Sequence, residues 1–400
     1  MPKLADRLGR VEVTAMVAMS QRAREMRAQG IDVLSLAIGE PDFATPAHAI
    51  EAAHAAAERG ETKYPPVDGT RALKEAVQRK FAREHGLAVT LDQILVGNGG
   101  KQILFDALMA ATDPGSEVLI PAPYWSSYAS IARLAGGEPV FFSCPENNRF
   151  HLRAEDLEAA LSPRSRWLIL NFPNNPSGAS CTGEELAAIA EVMRRHPEVW
   201  ILSDDIYEHL LHDGGPATTL AAVAPDLADR ILTLSGVSKS YAMTGWRIGF
   251  CAGPRDLIRA MANIQGQATA GVSTVGQAAA AAALDGPQAL LAERGVIYRR
   301  RRDLVVARLN EARGITCHTP EGAFYVFPSI AGCIGRVSPA GRRIATDRDF
   351  AAALLEEAHV AVVHGGAFGM SPHLRISYAS DEASLARACD RIAAFCQALA

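Results

Sequence analysis

Beyond residue 90 the chain alternates short apolar runs with stretches of helical spacing, and this alternation restricts the fold more than any other feature. Seven runs read as strands: Gln93–Val96, Val118–Pro121, Pro139–Phe142, Trp167–Asn171, Trp200–Ser203, Arg230–Leu234 and Ile248–Ala252. Lys101–Ala111, Ala154–Leu161, Glu184–Arg195 and Pro254–Ala262 lie between or after them and read as helices. Apolar strands joined by helices predict an α/β domain around a largely parallel sheet. A parallel strand is buried on both faces and needs a crossover long enough to cover one of them. Upstream, Thr14–Gly30, Thr45–Arg59 and Thr70–Glu84 also read as helices, the first with Thr14 as N-cap and Gly30 as C-cap. The alanine-rich Ala278–Leu284 reads as buried helix.

At 400 residues the chain exceeds one small domain, so two or three are expected. There is no internal repeat and no low-complexity linker. A net charge of −4 argues against nucleic acid or an anionic membrane as the main partner. Seven scattered cysteines with no C-x-x-C spacing suggest neither a disulfide framework nor a zinc site. No leader pattern and no apolar run of about 18 residues is present, so a cytoplasmic protein is expected.

In open α/β sheets ligands sit at the carboxyl ends of strands, which turns the strand ends into a filter. GNGGKQ follows Gln93–Val96 and runs into a helix, so the amides of Gly99, Gly100 and Lys101 would face an anion on its axis. FPNNPSG, with Asn174 and Asn175 between prolines, follows Trp167–Asn171. DDIYEH, with Asp204 and Tyr207, follows Trp200–Ser203. SGVSKSYAMTGWR, with Ser238, Lys239 and Arg247, follows Arg230–Leu234. Singly, these are caps, turns and surface cations. Polar clusters at four strand ends are better explained by one site.

The cluster meets the separate demands of pyridoxal phosphate. Lys239, desolvated at a strand end, can form a Schiff base with the aldehyde. The Gly100 and Lys101 amides, the Ser238 hydroxyl and the Arg247 fork suit the phosphate. Asp204 can keep the pyridine nitrogen protonated, while Asn175 and Tyr207 can donate to the phenolic oxygen. Trp125, in PAPYWSSY, can stack on the ring. No metal is called for.

The motifs GEPDF, KYPPVDG, GNGGKQ, APYWSSY, NFPNNPSGA, SDDIYEHLL, SKSYAMTGWRIG, GAFYVFP and HLRISYA occur in order over nearly the whole chain. Together they resemble the class I aminotransferases of the aspartate aminotransferase family, in particular the bacterial subgroup with GGKQ. The resemblance implies the PLP-dependent transferase fold type I, with a seven-stranded, mainly parallel sheet in a large domain and a small α+β domain built from both chain ends. Residues 1–45 and 291–400 would form the small domain and 46–290 the large one. It also implies a homodimer with shared active sites, and ping-pong transamination between an L-amino acid, aspartate first, and a 2-oxo acid such as 2-oxoglutarate. By the same resemblance Lys239 is the catalytic lysine, with Asp204 and Tyr207 beside it. Tyr64 would reach the neighbour's cofactor phosphate and Arg375 would grip the substrate α-carboxylate. Gly39, Trp125 and Asn175 would line the substrate pocket, and Lys101 would meet a distal carboxylate.

The chain departs from the dual aspartate and prephenate enzymes near its N-terminus, with Glu12 where they carry lysine and Met16 where they carry threonine. An acidic group repels an acidic substrate and methionine offers no donor, so prephenate is disfavoured. An aromatic or otherwise apolar amino donor is the alternative. A PLP lyase or synthase shares the fold, and a DNA-binding regulator would need a helix-turn-helix that the first forty residues lack. Among the remaining features, Tyr298–Asp303 reads as a solvated interdomain helix and His364 as a loop histidine. Residues 332–346 read as a loop that could form a lid.

Overall fold

The computed structural model describes residues 3–11, 14–212 and 218–400. A first short strand, β1 (Leu34–Ser35), is followed by seven that form one sheet: β2 (Ile94–Gly97), β3 (Glu117–Ala122), β4 (Glu138–Ser143), β5 (Ser165–Asn171), β6 (Trp200–Asp204), β7 (Ile231–Gly236) and β8 (Gly249–Ala252). Their order is β2-β8-β7-β6-β5-β3-β4, and only β8 runs against its neighbours. All seven expected strands are present, with ends moved by one or two residues. The central strands are buried along nearly their whole length because helices cover both faces; Trp167–Leu170 of β5 is fully enclosed. Each such apolar side chain contributes about 1.5–3 kcal/mol through burial.

Register is what this sheet supplies to function. Asn171 lies opposite Asp204 across β5 and β6, and Asp204 lies opposite Leu234 across β6 and β7. The parallel strands therefore run out together, and their following turns open on one side. Close approach is needed there too: a Cβ on Gly249 would lie 2.6 Å from the Gly100 nitrogen, so only glycine lets β8 pass the start of helix Gly100–Ala111.

A second layer joins the two ends of the chain. β1 pairs in parallel with β10 (Val360–Ala361), while β9 (Tyr325–Val326), β12 (Leu374–Ser377) and β11 (Val363–His364) form an antiparallel sheet. Helices Ala289–Glu311, Asp347–Ala358 and Glu382–Ala398 pack on it around a core containing Tyr298, Phe350 and Ile392. No helix among the described residues is long and apolar enough to cross a membrane.

Three local expectations change. Thr14 does precede helix Ala15–Ala28, but its hydroxyl caps nothing. In the arginine run, Arg299 and Arg300 face outward, whereas Arg301 and Arg302 are buried. Arg301 donates two 2.8 Å bonds to the carboxylate of Asp42, so this helix clamps the GEPDF segment instead of standing in solvent. Residues 332–346 are tied down. Val337 and Ala400 exchange backbone bonds, and Glu357 accepts from the Ser338 hydroxyl and the Ala340 amide.

A histidine clamp also joins the layers. His151 lies 2.8 Å from Glu185 and 3.0 Å from Glu321, the latter on the segment leading to β9. Its bond to Glu321, then that to Glu185, raises its pKa from 6.5 to about 9. Because the folded value is raised, the stability it contributes is complete below pH 6.5 and is lost as pH rises through about 9. The Tm difference between the wild type and His151→Gln should therefore be largest at about pH 6, worth at most about 3 kcal/mol, and should vanish near about pH 10. A pH-independent difference would show that the imidazole is not charged by these carboxylates.

Candidate active site

The turns after β2, β5, β6 and β7 close around a cavity of about 330 Å³ whose far wall comes from the second layer. Of the residues expected at the site, Gly39, Gly100, Lys101, Trp125, Asn175 and Asp204 line it. So do Tyr207, Ser238, Lys239, Arg247 and Arg375. Tyr64 does not. It is 92% exposed and stands in a separate groove with Lys63, Pro65 and residues 269–275. Asn174 turns away and donates to the Pro123 carbonyl, and His364 lines a different cleft. Met16 borders the cavity, while Glu12 lies outside the described residues.

Lys239 sits three residues past the end of β7, and its ammonium donates to the Gly39 carbonyl at 2.6 Å. Burial, reinforced by the charge of Arg375, lowers its pKa from 10.5 to about 8. Asp204 ends β6 and is buried. Desolvation pushes its carboxyl up to about 6, although the Tyr128 hydroxyl donates to it at 2.6 Å and the Ile206 amide at 3.3 Å. Asn171 holds this corner, its amide donating to the Asp204 carbonyl and its oxygen accepting from the Asn175 amide.

Arg375, on β12, is 1% exposed. Its guanidinium donates to Asn175 Oδ1 at 3.1 Å and to the Ala37 carbonyl, and its central carbon lies 4.7 and 4.9 Å from the ring centres of Tyr325 and Phe368. Its Nε has no partner among the described residues. Arg247 adopts a left-handed backbone (φ 58°), which costs a non-glycine residue about 1 kcal/mol, and is held by the carbonyls of Thr244 and Asn98. Gly99 (φ 81°) leaves it room: a Cβ there would lie 2.5 Å from Arg247 Nη2. The Lys101 ammonium rests 4.9 Å from the Trp125 ring centre, and desolvation followed by the charge of Arg247 lowers its pKa.

The set can hold an anion at the helix start, a cation or protonated nitrogen against Asp204, a carbonyl against Lys239 and a carboxylate against Arg375. That donor set fits pyridoxal phosphate. The unused Nε of Arg375 and the unmatched charge of Asp204 fit a ligand with complementary groups. Tyr128 and Tyr325 complete the site without having been expected. Both stand inside recognisable motifs, APYWSSY and GAFYVFP, but their partners Asp204 and Tyr207 are distant in sequence.

Fold and site together define a pyridoxal-phosphate-dependent aminotransferase of fold type I. The family model for aminotransferase class I and II matches residues 31–392, and the chain belongs to that family. It is 53% identical over 395 residues to the aspartate aminotransferase of Rhizobium meliloti strain 1021, covering 99% of this chain and 96% of that one. An aspartate/prephenate aminotransferase of Cereibacter sphaeroides is 54% identical over 396 residues, with 99% of each chain covered. The crystal structure of the Rhizobium meliloti aspartate aminotransferase superposes with a TM-score of 0.97 at 52% identity over the full length of both chains. The Thermus thermophilus aspartate aminotransferase with maleate gives 0.91 at 40% identity, covering 99% of this chain and 100% of that one.

A Cβ on Gly39 would lie 2.1 Å from the Tyr325 hydroxyl, which is itself 2.8 Å from that of Tyr207. Gly39→Ala must therefore displace Tyr325 or the carbonyl that meets Lys239. The variant should lose about 1–3 kcal/mol in a urea melt and at least about tenfold in kcat/KM. Wild-type activity would show that the segment shifts freely.

Proposed function

We propose that this aminotransferase takes the amino group of L-aspartate and passes it to a 2-oxo acid such as 2-oxoglutarate, in a ping-pong cycle carried by Lys239. The observation that carries the reading is a half-buried lysine with a pKa of about 8, in one cavity with a buried carboxylate and a partly unsatisfied arginine. Bound pyridoxal phosphate supplies an electron sink for the negative charge left at the donor's Cα. Lys239 anchors it and moves the Cα proton, and a pKa of about 8 suits the amine to both base and acid duty. Asp204 holds positive charge on the ring nitrogen, and Tyr207 and Asn175 donate to the phenolic oxygen. The Gly100 and Lys101 amides, Ser238 and Arg247 hold the phosphate, and Trp125 covers the ring. Arg375 takes the α-carboxylate as a fork.

Lys101 has no ion-pair or hydrogen-bond partner for its ammonium among the described residues, and the cavity offers it to a second carboxylate. The aspartate names of the relatives, and the dicarboxylate maleate in the Thermus thermophilus structure, support that use. Met16 and Ile38 border the same cavity and donate nothing, which favours an apolar or aromatic donor as the second reading and disfavours prephenate.

The small domain comprises residues 1–45 and 291–400 and the large one 46–290. The exposed Tyr64, outside its own cavity, supports a homodimer in which it reaches the partner's phosphate. Free cysteines throughout the described chain support a cytoplasmic setting.

Lys239→Ala should abolish transamination and the visible absorbance that the cofactor gains on attachment to a lysine; full turnover by this variant would sink the reading. Arg375→Ala should lower kcat/KM by about 2–5 kcal/mol, roughly 30- to 4,000-fold, because it strands a buried carboxylate. A donor panel with 2-oxoglutarate, extended to prephenate as acceptor, decides the substrate. Aspartate should be the fastest donor, and Lys101→Met should depress its rate more than that of phenylalanine. Comparable phenylalanine rates with negligible aspartate turnover would make the second reading correct.

A further inference from the structure

A second buried polar cluster adjoins the cavity without lining it. Lys80, on helix Arg71–His85, is fully buried, and its ammonium donates to Glu208 at 2.5 Å and lies 3.3 Å from Glu84. His85 approaches the same Glu208 oxygen at 2.7 Å, and the Ser235 hydroxyl donates to the other. His209 spans the gap beside them, 2.8 Å from Glu84 and 3.0 Å from the Ser240 hydroxyl.

Glu84, His85 and Glu208 bring one ligand atom each within 4.8 Å of one another, a spacing that a metal ion could use. The Lys80 ammonium already stands against both carboxylates, so the chain supplies the cation itself. Stability does not explain the cluster well either. Desolvating a buried ion pair offsets most of its Coulomb gain, and apolar packing would serve as well. What apolar packing lacks is direction.

The direction here is specific. Glu208 and His209 directly follow Tyr207 in the turn that begins with Asp204, and their bonds end on Ser235 and Ser240, which bracket Lys239. Arg294 adds a bond to the Ser240 carbonyl and another to that of Ala44, tying the same turn to the segment beyond Gly39. On the cavity side, the charged groups around Lys239 are Arg375, Glu40, Arg247 and Asp204, so a small movement of its turn changes the field at its nitrogen.

We propose that Glu208 and His209 are positioning residues for the transamination. They cross-link the turn bearing Asp204 and Tyr207 to the turn bearing Lys239, and so fix the lysine nitrogen relative to both groups. Lys80, Glu84 and His85 anchor this cross-link to the neighbouring helix. The inference rests on the role given to Lys239 under the proposed function.

The test uses the holoprotein with pyridoxal phosphate bound. A Ser235→Ala/Ser240→Ala double variant removes both bonds to the end of β7 and the lysine turn that follows it, and leaves Lys80 paired; Glu208→Gln is its companion. Four quantities are measured: Tm, kcat and KM for the preferred donor, and the pH midpoint of the cofactor's visible absorbance change. The double variant should lose about tenfold to a hundredfold in kcat with KM within about threefold, and its midpoint should move by about half a unit or more. An unmoved midpoint overturns the proposal, whatever happens to Tm, and so does an unchanged kcat. If Glu208→Gln fails to fold, the serine variant still decides. Failure of the underlying role is visible separately, as a wild type that shows no lysine-bound cofactor absorbance.

Discussion

A parallel sheet covered on both faces leaves only its strand ends for polar chemistry, and the rest of this structure depends on that constraint. Register brings Asn171, Asp204 and Leu234 level, so the turns that follow them converge instead of scattering along the sheet edge. The same burial then sets the electrostatics. Desolvation is the leading cause both for Lys239, drawn down to about 8, and for Asp204, pushed up to about 6. Each group is moved toward its neutral form because neither has a full counter-charge in contact. A ligand that brings a phosphate, a ring nitrogen and a carboxylate supplies what the site lacks.

The far wall of the site comes from the second layer. Arg375 and Tyr325 stand on strands of the second layer, and Gly39 lies on the segment after β1. Their placement relative to Lys239 depends on the Arg301–Asp42 pair within the second layer and on two ties between layers, His151 with Glu185 and Glu321, and the Tyr207–Tyr325 hydroxyl pair. Such ties are ionic or polar and directional. They fix angles and separations that apolar packing alone would leave loose.

Much of this was legible beforehand, for identifiable reasons. The strands of the large sheet are runs of four to seven mostly apolar residues, and all but the edge strand β4 are largely buried, which makes such short runs stand out from the helical spacing around them. Lys239, Asp204, Asn175 and the GNGGKQ turn are legible because each lies within five residues of the end of such a run. What escaped depends on contacts between distant segments. Tyr128 donates to Asp204 across 76 positions, and nothing local marks it. Arg301 and Arg302 share a helix with Arg299 and Arg300, and periodicity could not say which pair a neighbouring segment would cover. Thr14 occupies a cap position whose hydroxyl finds no partner, because capping depends on a side-chain rotamer as well as on residue type.

By itself, the chain's sequence determined the α/β architecture, the strand ends and the residue types gathered there, because apolar periodicity and turn chemistry act over a few neighbours. It also carried the family, through motifs that follow one another in order. Tertiary structure decided the field at Lys239, the contact of Arg375 with two aromatic rings, the isolation of Tyr64 from its own cavity and the buried cross-link through Glu208 and His209. Those properties belong to distances between segments far apart in the chain, or, for the field at Lys239, to water excluded by all of them at once. Only the closed fold sets either.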